Sequence, residues 1–292
     1  MAAQLLVGVN GSPASDRAVQ FAAQRAAARG LELRLLHVID ESVRSSRNAE
    51  VRERAQARAD EILQQATDAA HKLAPNVPVH AEAVSGDPFR VFVELSQDVE
   101  LLVVGSDSSG GERPVKRGVK SFRIAAAGHA PVAVIPDIDL AERRGVVVGV
   151  DGSDISNRAL EFAASEADRR REPLIAVHAW TIPIVPGAEY SYSDAYFDDA
   201  ERGAESTLST ALAEVQARYP GVELRPVVLN ANPAHALTAE AENAAMVVVG
   251  SHGRGAFGRL LLGSVSHGVL AHMVAPTVIV RQVASESAEN PA

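Results

Sequence analysis

Residues 5–25 read LLVGVNGSPASDRAVQFAAQR, and residues 146–166 read VVVGVDGSDISNRALEFAASE. The second stretch repeats the first position by position, with Asn10 matched to Asp151 at an offset of 141. His37 in LRLLHVID and His178 in LIAVHAW keep the same offset. Farther along, LLVVGSD from Leu101 matches MVVVGSH from Met246, and APVAVIP from Ala130 matches APTVIVR from Ala275, both at an offset of 145. Four matched blocks in one order establish an internal repeat. The change in offset puts four extra residues in the middle of the second copy. Between the copies, Pro136 to Arg144 (PDIDLAERR) is polar and charged and reads as the linker. The expected units are 1–138 and 144–283, followed by a small polar tail, 284–292, expected to be disordered.

Each copy alternates short apolar runs with helical stretches. Leu5–Val9, Leu33–Ile39, Leu101–Val104 and Val132–Ile135 carry too few polar positions for a half-exposed strand and predict parallel strands buried on both faces. Val79–Val84 adds a half-alternating strand. Ile62, Ala66, Ala70 and Leu73 keep a helical spacing, as do Leu208, Ala211, Leu212 and Val215. Ser153 is placed to cap the first helix of the second copy. The order β-α-β-α-β-α-β-α-β predicts an α/β fold of two tandem, doubly wound, parallel five-stranded sheets of Rossmann-like type. Such sheets take ligands at the carboxyl ends of their strands, so the loops after the first, second and fourth strands are the places to search.

At 292 residues, 47 % of them hydrophobic, the chain can bury two cores. A net charge of −9 opposes a broad nucleic-acid-binding face. The absence of cysteine excludes disulfides, thiolate metal sites and cysteine nucleophiles. The N-terminal stretch reads directly as a strand rather than a signal peptide. No apolar run has the length of a membrane span. A cytoplasmic protein without membrane or nucleic-acid partners is the expectation.

After the fourth strand of the second copy comes GSHGRGAFGRLLLGSVS. Gly250, Gly253 and Gly263 fall at G-x₂-G-x₉-G, with Ser264 next. Glycines let backbone N–H groups approach an anion, and a helix starting near Ser264 would turn its unpaired N–H groups and dipole toward it. Hydroxyls of Ser264 and Ser266 would add donors, and Arg254 or Arg259 charge. An ordinary glycine-rich loop with a helix cap is the competing reading. Gly253, Gly255 and Gly258 also spell G-x-G-x-x-G, but after the fourth strand rather than the first, which argues against a dinucleotide site.

On these residues the whole chain, from Leu5 to about Arg281, resembles a tandem universal stress protein of the actinobacterial type, a fold akin to the adenine nucleotide alpha hydrolases. The family pattern G-x₂-G-x₉-G-[ST] matches Gly250, Gly253, Gly263 and Ser264. An aspartate in V-G-V-D-G-S matches Asp151, and the second-strand ending matches His178-Ala179. Members with this pattern bind ATP. The resemblance implies that Asp151 holds the ribose or adenine side and that the Ala179 backbone meets the adenine edge. Gly250, Gly253, Gly263, Ser264 and Ser266 would hold the phosphates, with Val150, Val249 and Val265 lining the pocket. A triphosphate ordinarily brings Mg²⁺. The resemblance implies a regulatory role in stress adaptation through nucleotide-dependent shape or partner choice, with an unidentified protein partner. A slow ATPase or phosphotransferase is the alternative. Family members pair through the last strand, so Val132–Ile135 and Thr277–Val280 could pair within the chain, and a homodimer of chains is implied.

The first copy departs from the pattern. Its loop, GSDSSGGERPVKRGVKS, keeps Gly105 and Gly118, but Ser108 replaces a glycine and Val119 the serine, while Asn10 replaces the aspartate. Lys116, Arg117, Lys120 and Ser121 form either a solvated basic face or a partial compensation. One competent site in the second copy and a weak or dead one in the first is the expectation. His37 and His178, equivalent and at strand ends, read as structural, and His252 as a possible phosphate contact. His267 and His272 lack the spacing of paired zinc ligands, and GSVSHG is not a nucleophile elbow, so no catalytic residue or metal ligand is assigned. Trp180, Tyr190, Tyr192, Tyr196 and Phe197 suit packing between the repeats, a lid or a docking patch.

Overall fold

Leu5, Leu6 and Val7 are fully buried, and so are Val146, Val147 and Val148. These unbroken apolar runs form the central strand of each repeat. The computed structural model describes residues 3–106, 119–140, 142–181, 193–253 and 262–281. In the first repeat the chain runs β1 (Gln4–Gly8), α1 (Pro13–Arg29), β2 (Glu32–Asp40), α2 (Glu41–Arg44), α3 (Ala49–Leu73) and β3 (Val79–Gly86). It continues through α4 (Pro88–Leu95), β4 (Leu101–Ser106), α5 (Val119–Ala127) and β5 (Val132–Pro136). The second repeat runs β6 (Val146–Gly149), α6 (Asp154–Arg170), β7 (Leu174–Trp180), α7 (Asp194–Arg218) and β8 (Leu224–Asn230). It ends with α8 (Pro233–Glu240), β9 (Met246–Gly250), α9 (Ser264–Ala271) and β10 (Thr277–Val280). The four extra residues therefore lie between β7 and α7, because the offset is already 145 at the first residue of α7.

The two five-stranded halves run together into one ten-stranded sheet, in the order β3-β2-β1-β4-β5-β10-β9-β6-β7-β8. Every pairing within a repeat is parallel. The seam between β5 and β10 is antiparallel, with Ala133 opposite Val278. Those two residues are equivalent in the repeat, so a pseudo-twofold axis passes between them, perpendicular to the sheet.

Strand alternation sorts the apolar side chains onto two faces. Leu5, Val7, Leu101 and Val103 join Ala18 of α1, Ile62 of α3, Ala159 of α6 and Leu208 of α7 on one face. Leu6, Leu102 and Val104 join Phe92 of α4, Ile124 of α5, Leu237 of α8 and Leu270 of α9 on the other. Both layers continue across the seam. Ser153 caps α6, accepting from the Ser156 N–H, as its counterpart Ser12 caps α1 by accepting from Ser15. In α3, Ile62, Ala66 and Ala70 are buried as their spacing predicts, but Leu73 is 46 % exposed. Leu73 is the last helical residue and has passed the end of the core.

The strand-end glycines have a packing role in both repeats. A Cβ at Gly105 would lie 2.6 Å from the Ala14 carbonyl carbon and oxygen, where α1 begins. At the equivalent Gly250 it would lie 2.6 Å from Ile155 Cγ2 in α6. Glycine is thus required wherever the first helix starts against the fourth strand, whether or not a ligand binds. Gly105→Ala is expected to destabilise the protein by about 1–3 kcal/mol in urea unfolding, the usual cost of overpacking. Unchanged stability would contradict this close approach.

Candidate functional site

The site is built where β6, β7 and β9 end together. A cavity of about 440 Å³ opens there, within the range of small-molecule sites. All ten residues singled out in the sequence line it: Val150, Asp151, Ala179, Val249, Gly250, Gly253, Gly263, Ser264, Val265 and Ser266. Gly149, Ser156, Val177, Pro233, Leu237 and His252 complete the lining. Arg254, Gly255, Gly258 and Arg259 lie outside the described residues. So do Ser108, Lys116, Arg117 and Gly118 of the first repeat, Tyr190 and Tyr192, and the tail 284–292.

Asp151 is fixed from two sides. Its Oδ1 accepts the Ser153 N–H at 2.9 Å, and its own N–H donates to Ser156 Oγ at 3.3 Å. The second carboxylate oxygen lies against Gly253, where a Cβ would come within 2.5 Å of Oδ2. Gly253 is therefore the residue that leaves room for the Asp151 carboxylate. In the first repeat Asn10 makes the same local turn, its Oδ1 accepting from Ser12 N–H at 3.0 Å and its N–H donating to Ser15 Oγ at 3.1 Å. The turn needs one side-chain oxygen; the second anionic oxygen is particular to Asp151.

His178 and His37 tether strand ends. His178 Nδ1 donates to the Val150 carbonyl at 2.7 Å, and His37 Nδ1 to the Val9 carbonyl at 2.8 Å. The last β6–β7 rung is Val150 N–H to Val177 O, at 2.9 Å. By strand alternation the N–H and C=O of Ala179 point to that same edge, beyond the last rung and toward the cavity.

The opposite wall is the start of α9. Gly263 is its N-cap residue and supplies no side-chain cap, so the N–H groups of the first turn lack intrahelical partners. Ser264 is exposed at the first helical position. The Ser266 hydroxyl differs from the sequence expectation: it is buried and donates inward, to Ser251 O at 3.1 Å or Gly263 O at 3.0 Å. A buried hydroxyl must satisfy its proton internally, so the donor that Ser266 retains for a ligand is its backbone N–H. His252 Nδ1 lies 3.1 Å from Ser251 Oγ, while its Nε2 is buried without a hydrogen-bond partner among the described residues. An uncapped helix start, a glycine-lined approach and an orphaned buried imidazole nitrogen together suit an anionic group.

At three positions equivalent to the cavity lining, the first repeat carries a larger side chain. Phe92 stands where the second repeat has Leu237, Leu36 stands for Val177, and Val38 for Ala179. Phe92 Cζ lies 2.8 Å from the position of a Cβ on Gly8, as Leu237 Cδ1 lies 3.1 Å from that on the equivalent Gly149, so the two side chains take the same place and differ in bulk. Phe92 and Leu36 are buried in the core. Lys120 is exposed, and Ser121, equivalent to Ser266, is buried. These size exchanges escape the sequence reading, although the repeat alignment contains them. Nothing in the spacing alone says that those three positions face one space.

Tyr196 and Phe197 sit at the start of α7, 45 % and 39 % exposed. They do not pack between the repeats, because α7 lies over β7 and β8, at the far end of the sheet from the seam. Among the described residues no cluster of His or carboxylate groups could hold a metal, and no helix is long and apolar enough to cross a membrane. Asp151→Asn is expected to lower the unfolding free energy by less than Asp151→Ala does, since Asn10 makes the same turn. Asp151→Ala is expected to lose about 0.5–1.5 kcal/mol with the hydrogen bond. Equal losses in the two variants, measured by urea unfolding, would contradict the division between the turn oxygen and the second oxygen.

The universal stress protein family model matches residues 1–136 and again 142–281. A universal stress protein of Mycobacterium tuberculosis H37Rv is 35 % identical over 299 residues, covering 95 % of this chain and 97 % of the relative. Another from the same strain is 32 % identical over 293 residues, covering 95 % and 96 %. The crystal structure of a universal stress protein from Archaeoglobus fulgidus DSM 4304 superposes with a TM-score of 0.70 at 20 % identity, covering 95 % of this chain and 98 % of that one. That structural likeness bears on the fold alone. With the model matched twice in tandem and relatives aligned end to end above 30 % identity, the chain belongs to the universal stress protein family.

Proposed function

We propose that the second repeat binds ATP, one molecule per chain, and that occupancy regulates shape or partner choice in stress adaptation. The observation that carries this reading is the cavity's division into an apolar half and an anion-suited half. Val150, Val177, Ala179, Leu237, Val249 and Val265 offer an apolar slot for a base, with the Ala179 backbone at its edge. Asp151 has the charge and position to accept ribose hydroxyls. Gly250, Gly253, Gly263 and the N–H groups of Ser264 and Ser266 would receive phosphates, with His252 beside them. Mg²⁺ would accompany the triphosphate and offset its charge. The functional units in this reading are 1–138 and 144–283, in a cytoplasmic homodimer that engages a further protein.

Binding rather than turnover is the reading favoured by the lining. Among the described residues its titratable side chains are Asp151 and His252, and Asp151 Oδ1 is already engaged by the Ser153 N–H.

Isothermal titration with Mg-ATP is expected to give one site per chain. Leu237→Phe, which copies the first repeat, is expected to weaken binding at least 10-fold, about 1.4 kcal/mol, while circular dichroism reports an intact fold. Two equal sites, or full affinity in folded Leu237→Phe, would overturn the proposal.

A further inference from the structure

Among the described residues, three pairs that are equivalent in the repeat meet one another across the pseudo-twofold axis. Within the sheet, Ala133 faces Val278. On one face, Phe122 of α5 meets His267 of α9 edge-on, ring centroids 6.2 Å apart. On the other, Arg25 of α1 and Glu166 of α6 form an ion pair. The last pair is the informative one, because its two side chains are only 4 % and 5 % exposed.

A buried charge requires a partner. Arg25 has Glu166 and, at 3.7 Å, Glu100, and its guanidinium lies 5.0 Å from the centre of the Phe162 ring. Arg29 reinforces the group, reaching Glu100 at 2.9 Å and Glu166 at 3.1 Å. Arg169 approaches Glu166 at 3.3 Å from its own helix. Burial pulls the Arg25 guanidinium below its ordinary range, and Glu166 pushes it back up. The pair thus stands on desolvated ground where only the opposite charge is tolerated.

Identical halves meeting about a twofold axis would bring each residue against its own copy. If a first repeat paired with the first repeat of a second chain through β5, Arg25 would face Arg25. If two second repeats paired through β10, Glu166 would face Glu166. Self-pairing would leave Arg25 only Glu100 of its own repeat, at 3.7 Å, and Glu166 only Arg169 of its own helix, at 3.3 Å, whereas a first repeat against a second sets opposite charges against each other across the axis. We propose that the Arg25–Glu166 pair is a specificity device, admitting a second repeat to the seam and rejecting self-pairing of either repeat with a second chain. Such a device works through the penalty on wrong partners more than through its own stabilisation.

The absence of cysteine allows a direct test in the full chain. Ala133→Cys places a reporter on the axis, where two chains form a disulfide only if one β5 meets another. The reporter chain, unfolded in urea, refolded at high concentration and oxidised, is expected to stay unlinked on a non-reducing gel. In the Arg25→Met/Glu166→Met background, which removes both charges, the linked dimer is expected to rise at least several-fold. Equal linked fractions in the two backgrounds, including none in either, would overturn the proposal. Should the double-Met chain fail to fold, the charge swap decides. Arg25→Glu alone is expected to lower the thermal midpoint by about 5–10 °C. Adding Glu166→Arg is expected to restore part of that loss and leave the reporter unlinked; recovery is partial because the glutamate then lies beside Glu100 and the arginine beside Arg29 and Arg169. A swap no more stable than Arg25→Glu would contradict the proposal.

Discussion

The antiparallel seam of β5 against β10 is the constraint on which the rest of the molecule depends. Each repeat by itself would leave its fifth strand as an open edge, all five residues of β5 being buried in the assembled sheet. An exposed apolar edge is a template for uncontrolled association. Joining the edges turns two five-stranded sheets into one and makes both helical layers continuous. It also sets the pseudo-twofold axis on which Arg25 meets Glu166. The outer strands β3 and β8 are left at the two ends, where partial exposure and, in β8, Pro226 suit an edge.

Symmetry of backbone has not kept symmetry of side chains. The same sheet end forms a cavity in one repeat and receives Phe92, Leu36 and Val38 in the other. Asn10 makes the turn that Asp151 makes, so the first repeat has what the fold requires without the additional anionic oxygen. Gly105 follows the same rule. The start of α1 leaves no room for a Cβ there, so a glycine at this position says nothing about phosphate. Retained glycines are therefore a poor guide to a retained site in this molecule, whereas the side-chain volumes lining the space are a direct one.

Much of this was legible in the sequence because it rests on local or periodic signals. The repeat, the buried strands, the Ser153 cap and the start of α9 at Ser264 each leave such a signal. All ten residues expected at the site line one cavity for a related reason: they sit at strand ends, and doubly wound sheets gather strand ends. What escaped depends on contacts between distant segments. The contact of Phe92 with Gly8, the Oδ2 of Asp151 against Gly253 and the inward turn of the Ser266 hydroxyl are tertiary facts. Packing of Tyr196 and Phe197 between the repeats fails as an expectation because composition carries no information on distance from the seam. Arg25 and Glu166 end the very stretches that reveal the repeat, yet only the fold shows that they touch.

The central claim is that one repeat offers nucleotide a space and the other has filled it. Methyl-resolved NMR of the full chain during ATP titration addresses this most directly. The account predicts saturable shifts for Val150, Val177, Leu237 and Val249, with Val9, Leu36 and Val104 unmoved. Matching shifts in both sets, or none in either, would contradict it.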